Sequence, residues 1–257
     1  MQDEAAAMMA LTQDGFLGQK LSIRQPAKGF RSGHDAVMLA AAASGHGRVG
    51  ELGSGAGVAS LCVARRCPQA QVTGIEINAD LVALANANAA QNDLSDRVRF
   101  MAGDVGGRFS ALNLETHQFD EIIANPPYYQ AGSVNDLPDA GRQQAHIAET
   151  HTLEKWVSCA CALVVARGHV SFIHRADALG DLLAAMQPRL GELRVLPIAP
   201  RQNAPANRVI VRGRRDSRSP LKILPAVYLQ NPDGQASDLA EAILRDGCAL
   251  AFDTADG

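Results

Sequence analysis

Three glycines set two residues apart, Gly53, Gly55 and Gly57, separate the apolar run Arg48–Leu52 from a second one, Val58–Ala64. Glycine accepts positive φ and lets a ligand approach the backbone closely. Such a turn joins a buried strand to a helix whose N-terminus faces whatever the glycines leave open. The alternation continues with a strand over Gln71–Glu76, a helix over Ala79–Asn92 and strands over Arg97–Val105 and Phe119–Ala124. Short apolar runs alternating with helical spacing predict an α/β chain, a parallel sheet with helices on both faces. A nicotinamide-dinucleotide fingerprint requires Gly or Ala three residues past its second glycine. Here position 58 is Val and the glycine falls at 57.

The strand ends carry the polar residues. Glu76 closes the second strand nineteen residues past Gly57, where a carboxylate either accepts two ribose hydroxyls or is merely solvated. Gly103-Asp104-Val105 closes the third strand, a turn that is ordinary by itself. The fourth ends in Asn125-Pro126-Pro127-Tyr128. Two prolines forbid both helix and ladder continuation, so the chain stops there in a rigid extended turn. That turn holds the Asn125 amide and the carbonyls beside it, with Tyr128 offering a flat face. The pattern suits a planar amine, hydrogen-bonded through its N–H groups and stacked through its ring.

Net charge is −3, so no global positive field announces a nucleic-acid partner. Yet Arg201, Arg208, Arg212, Arg214, Arg215, Arg218 and Lys222 cluster against the single acid Asp216. Such a cluster is either an RNA phosphate contact or a charged, solvated edge strand. Five cysteines show no metal spacing, and their odd number suits a reducing cytoplasm. No metal site is expected, no run approaches a membrane span, and the acidic start does not read as a signal peptide. Cytoplasmic localisation is therefore expected, as monomer or homodimer.

Gly15–Arg24 and Gly29–Arg31, split by residues 25–28, predict an N-terminal hairpin. Asp35 is placed to cap a helix running to Ala43. Beyond the proline turn, residues 130–150 read as a long polar loop. Helices over Thr152–Arg167 and Ala176–Leu190 flank a fifth strand at Gly168–Ile173, and Leu193–Ile198 with Arg208–Arg212 form a closing antiparallel pair. A short surface helix is expected at Ser237–Leu244. The expected division is an extension and hairpin over 1–34, one domain over 35–229, and a tail over 230–257.

The spacing of Glu51, Gly53, Ser54, Gly55 and Gly57, followed by Glu76-Ile77, Asp104-Val105 and Asn125-Pro126-Pro127-Tyr128, resembles the S-adenosylmethionine-dependent methyltransferases of class I. With Phe30–Leu39 ahead of the glycine loop, the chain looks like the bacterial family that methylates adenine N6 in a valine tRNA. The resemblance spans roughly Gly15–Leu229. It implies a Rossmann-like seven-stranded, mostly parallel sheet, S-adenosylmethionine as cofactor and tRNA as partner. It also implies that the glycine loop holds the methionine moiety, Glu76 and Ile77 the ribose, and Asp104 and Val105 the adenine. Asn125 to Tyr128 would hold the acceptor amine. Asp35 lies near the cofactor pocket in that family, though here it serves equally well as a helix cap. The first motif opens with Glu51 where Asp is commoner. An Asn-Pro-Pro-Tyr turn serves nucleobase amines and glutamine side-chain amides alike. A glutamine N5-methyltransferase, a guanine-N2 RNA methyltransferase and a non-catalytic RNA-binding protein therefore remain alternatives.

Overall fold

A computed structural model describes residues 10–29, 31–107, 109–112, 114–127 and 152–252. Tyr128, Phe30 and the polar loop over 130–150 lie outside the described residues.

Five strands run parallel: β3 (Arg48–Leu52), β4 (Gln71–Glu76), β5 (Val98–Ala102), β6 (Phe119–Ala124) and β7 (Val164–Arg175). Antiparallel β9 (Arg208–Arg215) lies between β7 and β8 (Leu190–Arg201), giving the order β8-β9-β7-β6-β3-β4-β5. These are the seven strands expected. Two short strands, β10 (Lys222–Ile223) and β11 (Val227–Gln230), add to the outer edge of β8 and bring the sheet to nine. Between them sits Pro225, which has no N–H to give a ladder and splits the cover into two pieces.

Apolar helices cover both faces. On one lie α1 (His34–Ala42), α2 (Val58–Arg66) and α3 (Ala79–Gln91), packed on Ile123, Ile173 and Ile210. On the other lie α4 (Leu153–Leu163) and α5 (Leu179–Met186), packed on Ile122, Phe172 and Val209. Alternate residues of the same strands feed the two layers, as the pleat requires.

Several boundaries differ from the sequence expectation. The hairpin is β1 (Leu11–Phe16) with β2 (Leu21–Pro26), and it turns at residues 17–20 rather than 25–28. Leu17, Gly18 and Gln19 all adopt positive φ there, and Leu17 turns inward to 3% exposure. Burial of Leu17 thus overrides the turn signal of Pro26, which instead ends β2. Helix α4 stops at Leu163, and β7 starts at once with the β-branched pair Val164-Val165. The stretch expected as a helix over 176–190 is a short 3-10 turn followed by α5, with Leu190 already in β8. Asp35 is not the cap of α1. Gly33 holds that position without a side-chain bond, and Asp35 sits in the first turn. The short helix α6 (Asp238–Glu241) leads into a π turn whose Ile243 is fully buried, so this segment is not merely superficial. Further on, the Leu250 N–H donates to Ala41 O at 2.8 Å.

The hairpin docks through two asparagines that the sequence reading left unremarked. Asn88 Oδ1 accepts from Arg24 N and its Nδ2 donates to Arg24 O; Asn92 makes the same pair with Ser22 N and O. Helical residues four apart rise about 6 Å and strand residues two apart about 6.7 Å, so α3 can satisfy the free edge of β2 as a strand would.

Candidate active site

Register decides what meets at the C-terminal edge of the sheet. Leu52 pairs with Ile75 on one side and Ala124 on the other, while Glu76 pairs with Ala102. Gly53, Glu76 and Asn125 therefore stand in one row, with Asp104 just beyond it. From β5 to β6 the row spans three strand spacings, about 14 Å, which suits an extended nucleoside ligand.

Within the glycine loop the three positions do different work. Gly53 (φ 67°) is closed by Trp156, whose ring would lie 2.6 Å from an added Cβ. Gly57 (φ 88°) is closed by Phe100 at 2.5 Å. Gly55 (φ 54°) faces nothing within 4 Å among the described residues, so of the three glycines it is the middle one that opens to a ligand. The loop is tied down by Gly53 N and Ser54 N, which donate to Ile75 O at 2.8 and 3.1 Å, and by Gly57 N, which donates to Ser54 O. Asn88 Nδ2 adds a bond to Ala56 O at 3.0 Å. Ser54 Oγ is buried and has no hydrogen-bond partner among the described residues.

Glu76 in this row and Glu51, two residues before Gly53 in β3, are both held by backbone donors. Glu76 is 9% exposed; its Oε2 accepts from Gly55 N at 2.9 Å and its Oε1 from Asn78 N at 3.0 Å. Each oxygen keeps a further lone pair for a hydroxyl. Glu51 is 4% exposed, and its Oε2 accepts from Ser60 N at 2.8 Å and Ser60 Oγ at 2.5 Å. Burial pushes the Glu51 carboxyl up to about 8 despite those two bonds, and the Glu76 charge pushes the same way. Without a cation beside it, Glu51 is therefore largely protonated at neutral pH.

At the far end of the row, Asp104 Oδ1 accepts from Gly106 N at 2.9 Å. Beside this turn a cavity of about 410 Å³ runs along α4, lined by Val105, Phe109, Lys155, Ser158 and Cys159. Burial first, then the Asp104 charge, pushes the Cys159 thiol up to about 12, which removes it as a nucleophile. Asn125 is half-buried, Pro126 buried and Pro127 exposed. Ile77, a large apolar residue left 58% exposed beside Glu76, offers a face to a ligand ring. Together the open Gly55, the lone pairs left on Glu76 and the adjacent cavity fit a nucleoside sulfonium. Among the described residues, no group of three or more His, Cys, Asp or Glu could hold a metal, and no helix is long and apolar enough to cross a membrane.

Residues 32–141 match the family model described as the methyltransferase small domain. A tRNA1(Val) (adenine(37)-N6)-methyltransferase of Porphyromonas gingivalis is 34% identical over 72% of this chain and 76% of its own. The chain belongs to this family. A relative of the same name from Dickeya chrysanthemi is 26% identical over 92% of this chain and 95% of its own. Among solved structures, a predicted O-methyltransferase of Agrobacterium tumefaciens superposes with a TM-score of 0.72 at 26% identity, covering 86% of this chain and all of that one. A 16S rRNA N2 methyltransferase of T. thermophilus, in complex with AdoMet and guanosine, gives 0.55 at 17% identity, over 80% of this chain and 50% of that one. The protein is an S-adenosylmethionine-dependent methyltransferase with the class I fold.

The arginine cluster of this methyltransferase is divided between the two edges of the sheet. Arg208 and Arg201 reach the catalytic edge: Arg208 Nε donates to Asp35 Oδ2 at 2.8 Å, and Arg201 is exposed at the end of β8. Asp35 thus ties α1 to β9 near the pocket. By contrast, Arg214 pairs in register with His169 and Arg212 with Ser171, toward the opposite edge. Arg214 Nε donates to Arg167 O, and Arg215 donates to Cys161 O and Val164 O at 2.7 Å. Arg212, Arg214 and Arg215 are not brought together with the site, because β9 runs antiparallel and carries its later residues away from it.

Trp156 is the site residue that the sequence reading missed. Its buried ring, carried by α4, closes the glycine loop behind Gly53. Its being the single Trp of the chain was the available signal.

Proposed function

We propose that the methyl group goes to the exocyclic N6 of an adenosine in tRNA, the acceptor for which the relatives are named. The observation that carries this is the register pairing of Leu52 with Ala124, which sets Asn125 and Pro126 beside the glycine loop. S-adenosylmethionine supplies an electrophilic methyl on a sulfonium. The protein's task is orientation and exclusion of water. Asn125 Oδ1 and the Pro126 carbonyl accept the two amine hydrogens, which draws the nitrogen lone pair out of the purine ring and toward the methyl. Tyr128 stacks on the base, an interaction worth about 1–3 kcal/mol. No strong general base is needed, since the alkylated amine is a good acid. Glu76 binds the ribose hydroxyls, Asp104 the adenine amine, and Glu51 the cationic methionine end. Of the six arginines of the cluster, Arg201 and Arg208 stand where RNA bound at the catalytic edge would pass.

Incubation with methyl-labelled S-adenosylmethionine and either total RNA or total cell protein tests the acceptor class. Label in the tRNA fraction is expected. Label confined to protein would turn the assignment to a glutamine amide.

A further inference from the structure

On the N-terminal edge of the sheet, four residues of strand and about 13 Å from the catalytic row, lies a second cavity of about 700 Å³. It is bounded by the segment before β3 (Ser44, His46), by the last turn of α2 (Arg66), by residues 165–169, and by Ala249–Phe252. A local irregularity builds it. Phe119 pairs with Val164 and Glu121 with His169, so Val165–Gly168 bow out of the ladder opposite the single residue Asp120. Arg167 takes φ 65° within that bulge.

Three arginines line the cavity, Arg66, Arg167 and Arg212, against one acidic residue among the described residues, Asp120; Arg167 NH1 also donates to Asp216 O at 3.4 Å. Asp120 already accepts from Arg48 N at 2.7 Å, and the neighbouring Glu121 Oε2 accepts from Ser44 N and Oγ. Arg66 NH2 donates to Ala40 O and Ala43 O. Arg212 has nothing comparable. It is 9% exposed, its Nε is buried without a hydrogen-bond partner among the described residues, and the Phe252 ring lies 5.4 Å from its guanidinium carbon. A ring face attracts a cation but accepts few of five N–H groups. Opposite Arg212 in register stands Ser171, fully buried, whose Oγ also lacks a partner. Two unpaired polar side chains, a guanidinium at the cavity and a hydroxyl beside it in register, are therefore found here among the described residues, and a buried cation without an anion is strongly disfavoured.

We infer that this cavity binds a phosphate group, with Arg212 as its principal ligand and Arg167 and Arg66 at its rim. The arginines border the cavity from three elements, α2, the β7 bulge and β9, and donors offered from several sides suit a tetrahedral acceptor better than a planar carboxylate. The phosphate comes either from the RNA backbone or from a free phosphorylated small molecule. Only the first source rests on the proposed RNA acceptor.

Calorimetric titration with inorganic phosphate, at constant ionic strength against chloride, tests the site on the full chain. Wild type should bind saturably, and Arg212→Met, which keeps a stem over Phe252, should bind at least tenfold more weakly. S-adenosylhomocysteine affinity should be unchanged in that variant. Arg167→Gln, at the exposed rim, should weaken phosphate severalfold and covers the case in which the Arg212 variant fails to fold. Equal phosphate affinity in wild type and variants, or none in any of them, overturns the site. With the site established, RNA affinity against salt identifies the source. A log–log slope flattened by about 0.7–0.9 in Arg212→Met assigns it to the RNA backbone, and an unchanged slope to a small phosphorylated ligand. Phosphate binding with no methyl transfer to RNA would leave the site standing and remove the RNA acceptor alone.

Discussion

Cofactor affinity should depend on pH through Glu51. In the free protein burial raises this carboxyl to about 8, so it is about 1% ionised at pH 6 and about half ionised at pH 8. A cationic methionine end arriving beside it favours the ionised form, and binding then releases a proton. If only the ionised form is competent, apparent affinity scales with its fraction. From pH 8 to pH 6 the dissociation constant for S-adenosylhomocysteine should rise by more than tenfold, on the order of 2 kcal/mol. The sign follows from the raised pKa: affinity is lost as pH falls below it and levels off above it. Glu51→Gln, which cannot ionise but can still accept from Ser60, should bind more weakly than wild type at pH 8 with a nearly flat profile. Calorimetry in two buffers of different ionisation enthalpy counts the released proton directly. A wild-type affinity that is constant from pH 6 to 8, with no proton released, would show that Glu51 only anchors Ser60 and never meets the cofactor.

Other perturbations read the remaining parts of the row. Glu76→Ala should weaken S-adenosylhomocysteine by about 2–3 kcal/mol by calorimetry, since it removes charged acceptors for two hydroxyls and also frees Gly55 N. Asn125→Ala should keep cofactor affinity within about twofold while removing most single-turnover methyl transfer, the loss of an oriented transition-state acceptor being worth about 10²–10³ in rate. Gly53→Ala should lower the thermal midpoint and cofactor affinity together. Its φ of 67° costs a side chain about 1–2 kcal/mol, and the new Cβ would collide with Trp156.

Much of the catalytic edge was legible because each part is local. A glycine loop between apolar runs, an acid at a strand end and a Pro-Pro stop can each be read within ten residues, and their order identifies the sheet. What escaped depends on distant contacts. The hairpin turn moved because Leu17 finds the core, and the Asn88–Asn92 clasp on β2 joins residues more than sixty apart in sequence. The arginine cluster looked continuous in the sequence, but antiparallel β9 sends Arg208 to one edge and Arg214 to the other. The second cavity was invisible for the same reason, since its floor is assembled from β7 and β9 and its wall from Ala249–Phe252.

The most direct test of the chemistry is the identity of the methylated nucleoside. Purified tRNA lacking the modification, incubated with the enzyme and S-adenosylmethionine and then digested to nucleosides, should yield N6-methyladenosine by mass spectrometry and lose it with Asn125→Ala. N2-methylguanosine, or a methylated ribose in place of a methylated amine, would contradict transfer to the adenine amine held by Asn125 and Pro126.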